Sequence, residues 1–445
     1  MKTRTPTFKI LMNWLFAIFL CIGAIYAESL EEFTIQHQIQ QNPPKESFDN
    51  ITPLYELRQK AQSGDIIAQI SLSRKLYYGV GVPKDINQAA FWIIQAAEQG
   101  NAEAQYGAGM VYHKGIGGYP KDYTKALDWL DKSAAQNNVF AHELLGFIYY
   151  NGEGVTRNYK KAMRHFLKAS ELGSTDADSW IAVLYLKNIG PDYEKAIEWA
   201  NKAAEKGNAQ GMLLLGWMYD KRQGIKQDDT KALQYYLQAA EKNNISAQFN
   251  AGVFYYTGSG CEQDYQKAFE WFKKAADGGK QEAYLYLGIM YFHGRGVQQD
   301  FAQAFKYSLA AAEHGEVQGQ YFVGFFYLSG TGVDADINEG IKWLKKAVEQ
   351  NYADAQCLWA KLHLNGWGFE KNEVEALAWY MISAIQGNQE AIENTKNIRS
   401  ELTEKQLKQA EQRKEELQKQ MSGARHNYKS VRGQPVTTYK INEIR

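Results

Sequence analysis

Catalysis needs reactive side chains that converge. The chain has 445 residues with eight His and three Cys, at Cys21, Cys261 and Cys357. A zinc site draws its ligands from Cys, His and carboxylates at short, regular spacings. No His-Glu-x-x-His occurs, and no His, Cys and Asp residues cluster with zinc-type spacing. His113 and His293 fall at corresponding places in the pattern described below, but far apart in the chain, so they make no metal pair. No Ser is followed by Lys at the third position, which removes the Ser-x-x-Lys arrangement of a lysine beside a serine nucleophile. Seven Gly-x-Gly pairs stand at the turns of the pattern described below, Gly258-Ser-Gly260 among them. Each lacks the third Gly and the strand context of a nucleotide-binding turn, and they read as turns. The sequence therefore offers no catalytic, cofactor-binding or metal-ligating residue. Its 29 Tyr and 11 Trp leave an aromatic surface as the chemistry available for recognition.

Charge narrows the partners further. The formal net charge is zero, and the first 27 residues carry Lys2, Arg4 and Lys9 without an acid. Without them 47 basic residues face 50 acidic ones, a net of −3. Interspersed, near-neutral charge gives no electrostatic footprint for nucleic acid or for an anionic membrane.

The elements that must position the rings come from a repeat. A Gly or Asn closes each of nine successive units: Gly100, Asn137, Gly173, Gly207, Asn243, Gly279, Gly315, Asn351 and Gly387, after Gly64. The steps are 36 residues, except for one of 37 and one of 34. A fixed period of this length marks a solenoid. Four residues after each closing residue stands Ala or Gly, as at Ala247, and large apolar residues follow at helical spacing. A Gly-x-Gly loop then turns the chain. Asp or Asn opens a second helix at Asp85, Asp122, Asn158, Asp192, Asp228, Asp264, Asp300, Asp336 and Asn372, where the side chain can accept from first-turn N–H groups. The second helix carries a ring in every unit, Trp271 in the sixth, expected to pack as a knob on small neighbours. Cys261 and Cys357 fall three units apart, beyond the roughly 6 Å Cα spacing of a disulfide. Unit four is two residues short, with Asn188-Ile-Gly190-Pro191 as its loop, and unit five has Arg222 for the first loop Gly. These adjacent departures read as loop drift, or as a change of curvature near residues 186–228.

The pattern Ala-x3-Leu-Gly-x2-Tyr-x2-Gly-x-Gly-Val-x2-Asp-x2-Lys-Ala-x2-Trp-x2-Lys-Ala-Ala-x2-Gly resembles the Sel-1-like repeat, a relative of the tetratricopeptide repeat, over roughly residues 51–399. The resemblance implies an all-α, right-handed superhelical solenoid of nine helix-turn-helix repeats, a general scaffold for protein partners. Cysteine-rich relatives of this repeat type have been linked to β-lactam binding, but they carry paired Cys in each unit and this chain does not. In tetratricopeptide-like arrays the first helices line a concave groove. Residues two, six and nine after the small residue then face it, giving Tyr150, Trp217, Phe249, Tyr256, Phe292, Tyr321 and Phe325 as candidate anchors for a peptide or protein. The other reading of the same rings is packing between neighbouring first helices.

The ends complete the organisation. Residues 1–27 read as an export signal, or as an N-terminal anchor if uncleaved, with a membrane contact only in that case: a basic start precedes the apolar run of residues 10–26. Residues 28–50 form a Gln-rich flexible linker, residues 51–399 the array, residues 400–422 a polar capping helix with Thr403 and Gln406 as its capping box, and residues 423–445 a disordered tail. The expectation is a periplasmic or secreted, non-enzymatic scaffold that binds a protein or peptide in its concave groove. The alternatives are a cell-wall or β-lactam-directed enzyme and a secretory-pathway adaptor of a eukaryote, with sequons at Asn50 and Asn244.

Overall fold

A computed structural model describes residues 53–187 and 191–423. The expected export segment, the linker, the stretch 188–190 of the short loop and the tail beyond Gly423 lie outside these residues. The described residues form 21 helices and no strand. After an opening helix, Leu54–Gln62, eighteen helices of 13 residues alternate as first and second members of nine pairs, from Ile66–Tyr78 to Glu373–Ile385. The helices Gln389–Glu401 and Glu404–Gly423 follow. The chain forms two compact bodies, one up to Gly211 and one from Met212. That division falls within the window where repeats four and five depart from the pattern.

Uniform helix length follows from uniform punctuation. In all nine repeats the Asp or Asn before the second helix accepts a hydrogen bond from an N–H in the helix's first turn, as Asp264 does from Lys267. Most first helices are capped too, by the residue just after the closing Gly or Asn: Asp65, Asn101, Asn138, Ser174, Asn208 and Asn244 each accept from the N–H three residues on. The closing residue itself is left-handed, which explains the restriction to Gly and Asn; Asn137, Asn243 and Asn351 have φ of 60°, 62° and 61°. Thr403 and Gln406 close a reciprocal capping box at the start of Glu404–Gly423.

The two glycines of the loop do different work. Gly258 ends the first helix of repeat six in the left-handed region, φ +71°, where an added Cβ would meet Gln263 closely, at 3.3 Å, but without overlap. Gly260 also has positive φ, but its Cβ would sit 2.3 Å from the Asp229 carbonyl of the preceding repeat. The first Gly is required for conformation and the second for contact between repeats. Arg222, at the first position in repeat five, adopts φ +57° itself.

In repeats two, three, five and six the knob is displaced by one residue from the expected ring, and the notch is a Gly five residues after the small residue of the first helix. Into Gly252 goes Phe272, fully buried, with ring atoms 2.8 Å from a hypothetical Cβ. Leu130 fills Gly109, Phe166 fills Gly146 and Tyr236 fills Gly216 in the same manner. Trp271, expected in that place, is half-buried and lies beneath the Lys274 ammonium, 4.1 Å from its ring centroid. One residue is about 100° of helix, enough to move a side chain from the notch to the helix flank.

Candidate partner-binding face

The face in question is built from first helices, and its rings are held by their neighbours. Phe249 and Tyr256 lie on the first helix of repeat six, Ile245–Thr257. Both pack on Tyr286 of the next first helix, with centroids at 5.7 and 5.5 Å, and both touch Phe272. Phe292 meets Phe322, Phe325 and Phe326 of repeat eight at 5.9, 6.0 and 5.6 Å. Tyr321 stands edge-on to Tyr352 of repeat nine, at 5.5 Å. Edge-to-face contacts of this kind fix ring orientation as well as burying area. The structure thus gathers Phe249 with Tyr256, and Phe292 with Phe325, and passes the contact from repeat to repeat. All five, and Tyr321 among them, remain half-buried rather than enclosed. Burial raises the hydroxyl pKa of Tyr256 and Tyr321, so both stay neutral donors.

Tyr150 belongs to the other body. It packs on Tyr159 and Trp180 at 5.5 and 5.2 Å, beside Phe147. Trp217, on Ala209–Lys221, is half-buried. Several other positions of the expected stripe are closed. Leu186, Ile289 and His113 are buried, so the residues two, six and nine after the small residue do not form one uniform open surface.

The ninth position has a use that the sequence did not disclose. The middle residue of a Gly-x-Gly loop reaches back to it on the preceding repeat. Glu153 Oε2 lies 2.7 Å from His113 Nε2, and the Arg295 guanidinium donates to the Tyr256 hydroxyl at 2.8 Å. The His113 contact holds the Glu153 carboxyl below its ordinary range. His293 is pushed down to about 4 by burial and by Arg295. These contacts make loop residues read as variable in sequence while they act as clasps between repeats.

A second unpredicted feature is a side-chain pair inside six of the nine repeats. The residue just after the small position of the first helix meets the residue ending the second helix. Gln99 donates to Gln69, Gln136 to Gln105, Gln350 to Gln320 and Gln386 to Gln356, at 2.6–2.8 Å. In repeat seven the same places hold Tyr284 stacked on His314, and in repeat four Asp178 bridged to Lys206 at 3.0 Å. Asp178 is fully buried, accepts from Ser170, and also faces Lys202 at 3.0 Å. Nearby, Glu143 accepts from the Ser174 hydroxyl, and burial together with Asp176 pushes its carboxyl up to about 8. A third recurring contact places the Lys of the second helix's first turn over a first-helix Tyr: Lys125, Lys161, Lys195, Lys231 and Lys267 lie 4.8–5.4 Å from the rings of Tyr112, Tyr149, Tyr185, Tyr219 and Tyr255.

Groups for covalent or metal chemistry do not converge among the described residues. No three His, Cys, Asp or Glu residues are placed to hold a metal ion. Cys261 and Cys357 are both free thiols, and burial raises the pKa of each. No described helix is long and apolar enough to cross a membrane.

Alternating helix pairs, each packed on its neighbours and carrying a ring-lined first-helix face, define an α-solenoid repeat protein. The chain belongs to the Sel1 repeat family, whose repeat matches nine times: residues 66–101, 102–138, 139–174, 179–208, 209–244, 245–280, 281–316, 317–352 and 353–388. A sel1-like repeat-containing protein of Acanthamoeba polyphaga mimivirus is 30% identical over 172 residues, 39% of this chain and 25% of that relative, so the match spans a quarter of the relative's length. Among solved structures, a protective antigen of uropathogenic Escherichia coli with an SLR fold is 27% identical, covering 86% of this chain and 100% of its own, with a TM-score of 0.45. A Sel1 repeat protein from Oxalobacter formigenes is 28% identical over 55% of this chain and 96% of its own, with a TM-score of 0.48.

Proposed function

We propose that this Sel1 repeat scaffold is exported and non-catalytic, and that it holds a protein or peptide partner on the first-helix face of repeats six to eight. The observation that carries the reading is the run of half-buried rings from Phe249 to Phe325. Rings anchored on one side and open on the other supply rigid contact area at small entropic cost, which is the property of a binding hot spot. Near-neutral charge makes such a surface depend on shape and apolar contact more than on steering. Export rests on the basic start and apolar run of residues 1–27, and assigns the partner to the periplasm or the outside of the cell.

Because the rings also pack the array, replacing them confuses binding with stability. A photo-crosslinking phenylalanine analogue at Tyr256, Phe292 or Phe325 avoids this. Irradiated in the native compartment, these positions should capture one discrete partner, while the same group at Trp343 on a second helix should not. Equal capture from both faces, or from neither, removes the reading. Labelled penicillin should yield neither adduct nor turnover. Fractionation with N-terminal sequencing checks export: a cytoplasmic chain with an intact start would overturn that part.

A further inference from the structure

Repeat three differs from the other eight at two places that the fold uses. Where six repeats have Trp and two have Tyr on the second helix, it has His165. Where five repeats have Gln after the small residue, it has His142. The structure brings these two together: the Nδ1 atoms lie 3.3 Å apart and the ring centroids 5.5 Å apart. Tyr149 stacks on the other side of His165 at 5.7 Å, nearly parallel. The pair therefore joins the two helices of the repeat, Val139–Asn151 and Tyr159–Glu171.

A neutral pair can make one N–H···N bond, with one Nδ1 donating and the other accepting. One further proton is accommodated on His165 Nε2, leaving a charge-assisted N–H···N bond between the rings, but a second has no good place. On the accepting Nδ1 it would confront the donor across 3.3 Å. The charged surroundings do not compensate fully. Lys168 and Glu171, from the second helix, act on His142 in opposite senses, and the Ala134 carbonyl favours its charged form. Lys161 acts against a charge on His165, and Asp131, from the neighbouring helix Tyr123–Ala135, faces that lysine.

We infer that repeat three is an acid-sensitive joint, in which protonation of both rings of the His142–His165 pair loosens the two helices of that repeat while the other repeats stay closed. Burial holds both imidazoles below their ordinary range, His165 down to about 4. The sign follows. Folded pKa values below the unfolded ones mean that the unfolded repeat binds more protons, so the contribution is complete above about pH 6.5 and is lost as the pH falls from there toward about 4. No other repeat carries a histidine at both places.

The test uses the full chain and amide hydrogen exchange at pH 7 and pH 4.5, corrected for intrinsic rates. Residues 139–171 should lose protection on the order of tenfold or more relative to residues 245–277. The variant H142Q/H165W, which installs the residues used elsewhere in the array, should abolish that difference. A uniform loss across all repeats overturns the inference, as does an acid response that survives in the double variant. Should the double variant fold poorly, proton NMR of the wild-type histidines decides: a His165 ring titrating near 4 supports the joint, and one titrating near 6.5 overturns it.

Discussion

Gly258 and Gly260 look equivalent in the sequence and are not equivalent in the molecule. Asn occupies the left-handed region at the closing positions Asn137, Asn243 and Asn351, and Arg222 does so at the place equivalent to Gly258 in repeat five, so Gly258→Asn should cost about 1 kcal/mol. Gly260→Ala adds a carbon 2.3 Å from the Asp229 carbonyl and must push two repeats apart, so its cost should exceed about 2 kcal/mol. Denaturant unfolding of the two variants compares them, and equal midpoints would refute the division of labour. The same measurement separates the two rings of the second helix. Phe272→Ala empties the notch at Gly252 and should cost about 3–5 kcal/mol, while Trp271→Ala, on the half-exposed flank, should cost less than half as much. The turns and caps were legible in the sequence because Gly and Asp have one dominant reason to recur at such places. The ring was misplaced because a ring recurs at the Trp271 place in all nine repeats, whereas the residue after it varies from Phe272 and Tyr236 to Ala200 and Ser308. Period alone does not say which of two adjacent positions faces inward; the Gly notch on the facing helix does.

At the scale of the helix pair, neutral Gln–Gln bonds hold four repeats, and Asp178 with Lys202 and Lys206 holds repeat four. These arrangements respond differently to damage. Removing both lysines leaves a fully buried carboxylate with Ser170 as its remaining hydrogen-bond donor, so Lys202→Ala with Lys206→Ala should destabilise by about 3–5 kcal/mol. Exchanging the pair for the one used elsewhere, Asp178→Gln with Lys206→Gln, should stay within about 1.5 kcal/mol of the parent, because the neutral amides need less desolvation. Thermal and denaturant unfolding read both; a double Gln variant as unstable as the double Ala variant would show that the charge itself is required. This layer was hidden from sequence reading for a physical reason. The partners lie about thirty residues apart and change chemical type between repeats, from amide to ion pair to stacked ring, so no residue type recurs to reveal the position. The clasps from Glu153 to His113 and from Arg295 to Tyr256 escaped for the same reason.

Within each of the two bodies the helices pack mainly on their neighbours in the chain; the exception among the described residues is Glu404–Gly423, which turns back onto Glu373–Ile385. There Arg413 pairs with Glu375, whose carboxylate also accepts from the Trp379 indole, and Leu417 and Ala410 are buried. Nearest-neighbour packing makes stability close to a sum over repeats and their interfaces. Deleting one full period, residues 281–316, therefore joins repeat six to a first helix of the same kind that it lost. Gly-x-Gly loop, capping Asp and notch all remain in register, and Tyr256 meets Phe322 in place of Tyr286. The shortened chain should keep a cooperative melt with helicity reduced in proportion to the residues removed. Deleting half a period, residues 281–298, sets two second helices side by side, which leaves Phe272 without its successor's face and should abolish soluble, cooperative folding. Circular dichroism melts distinguish the two. The full-period deletion also separates scaffold from site: it removes Phe292 and interrupts the ring run between Phe249 and Phe325 while sparing the fold. A partner captured from repeats six to eight should then be lost, and one that binds the shortened array with undiminished affinity must be using a different face.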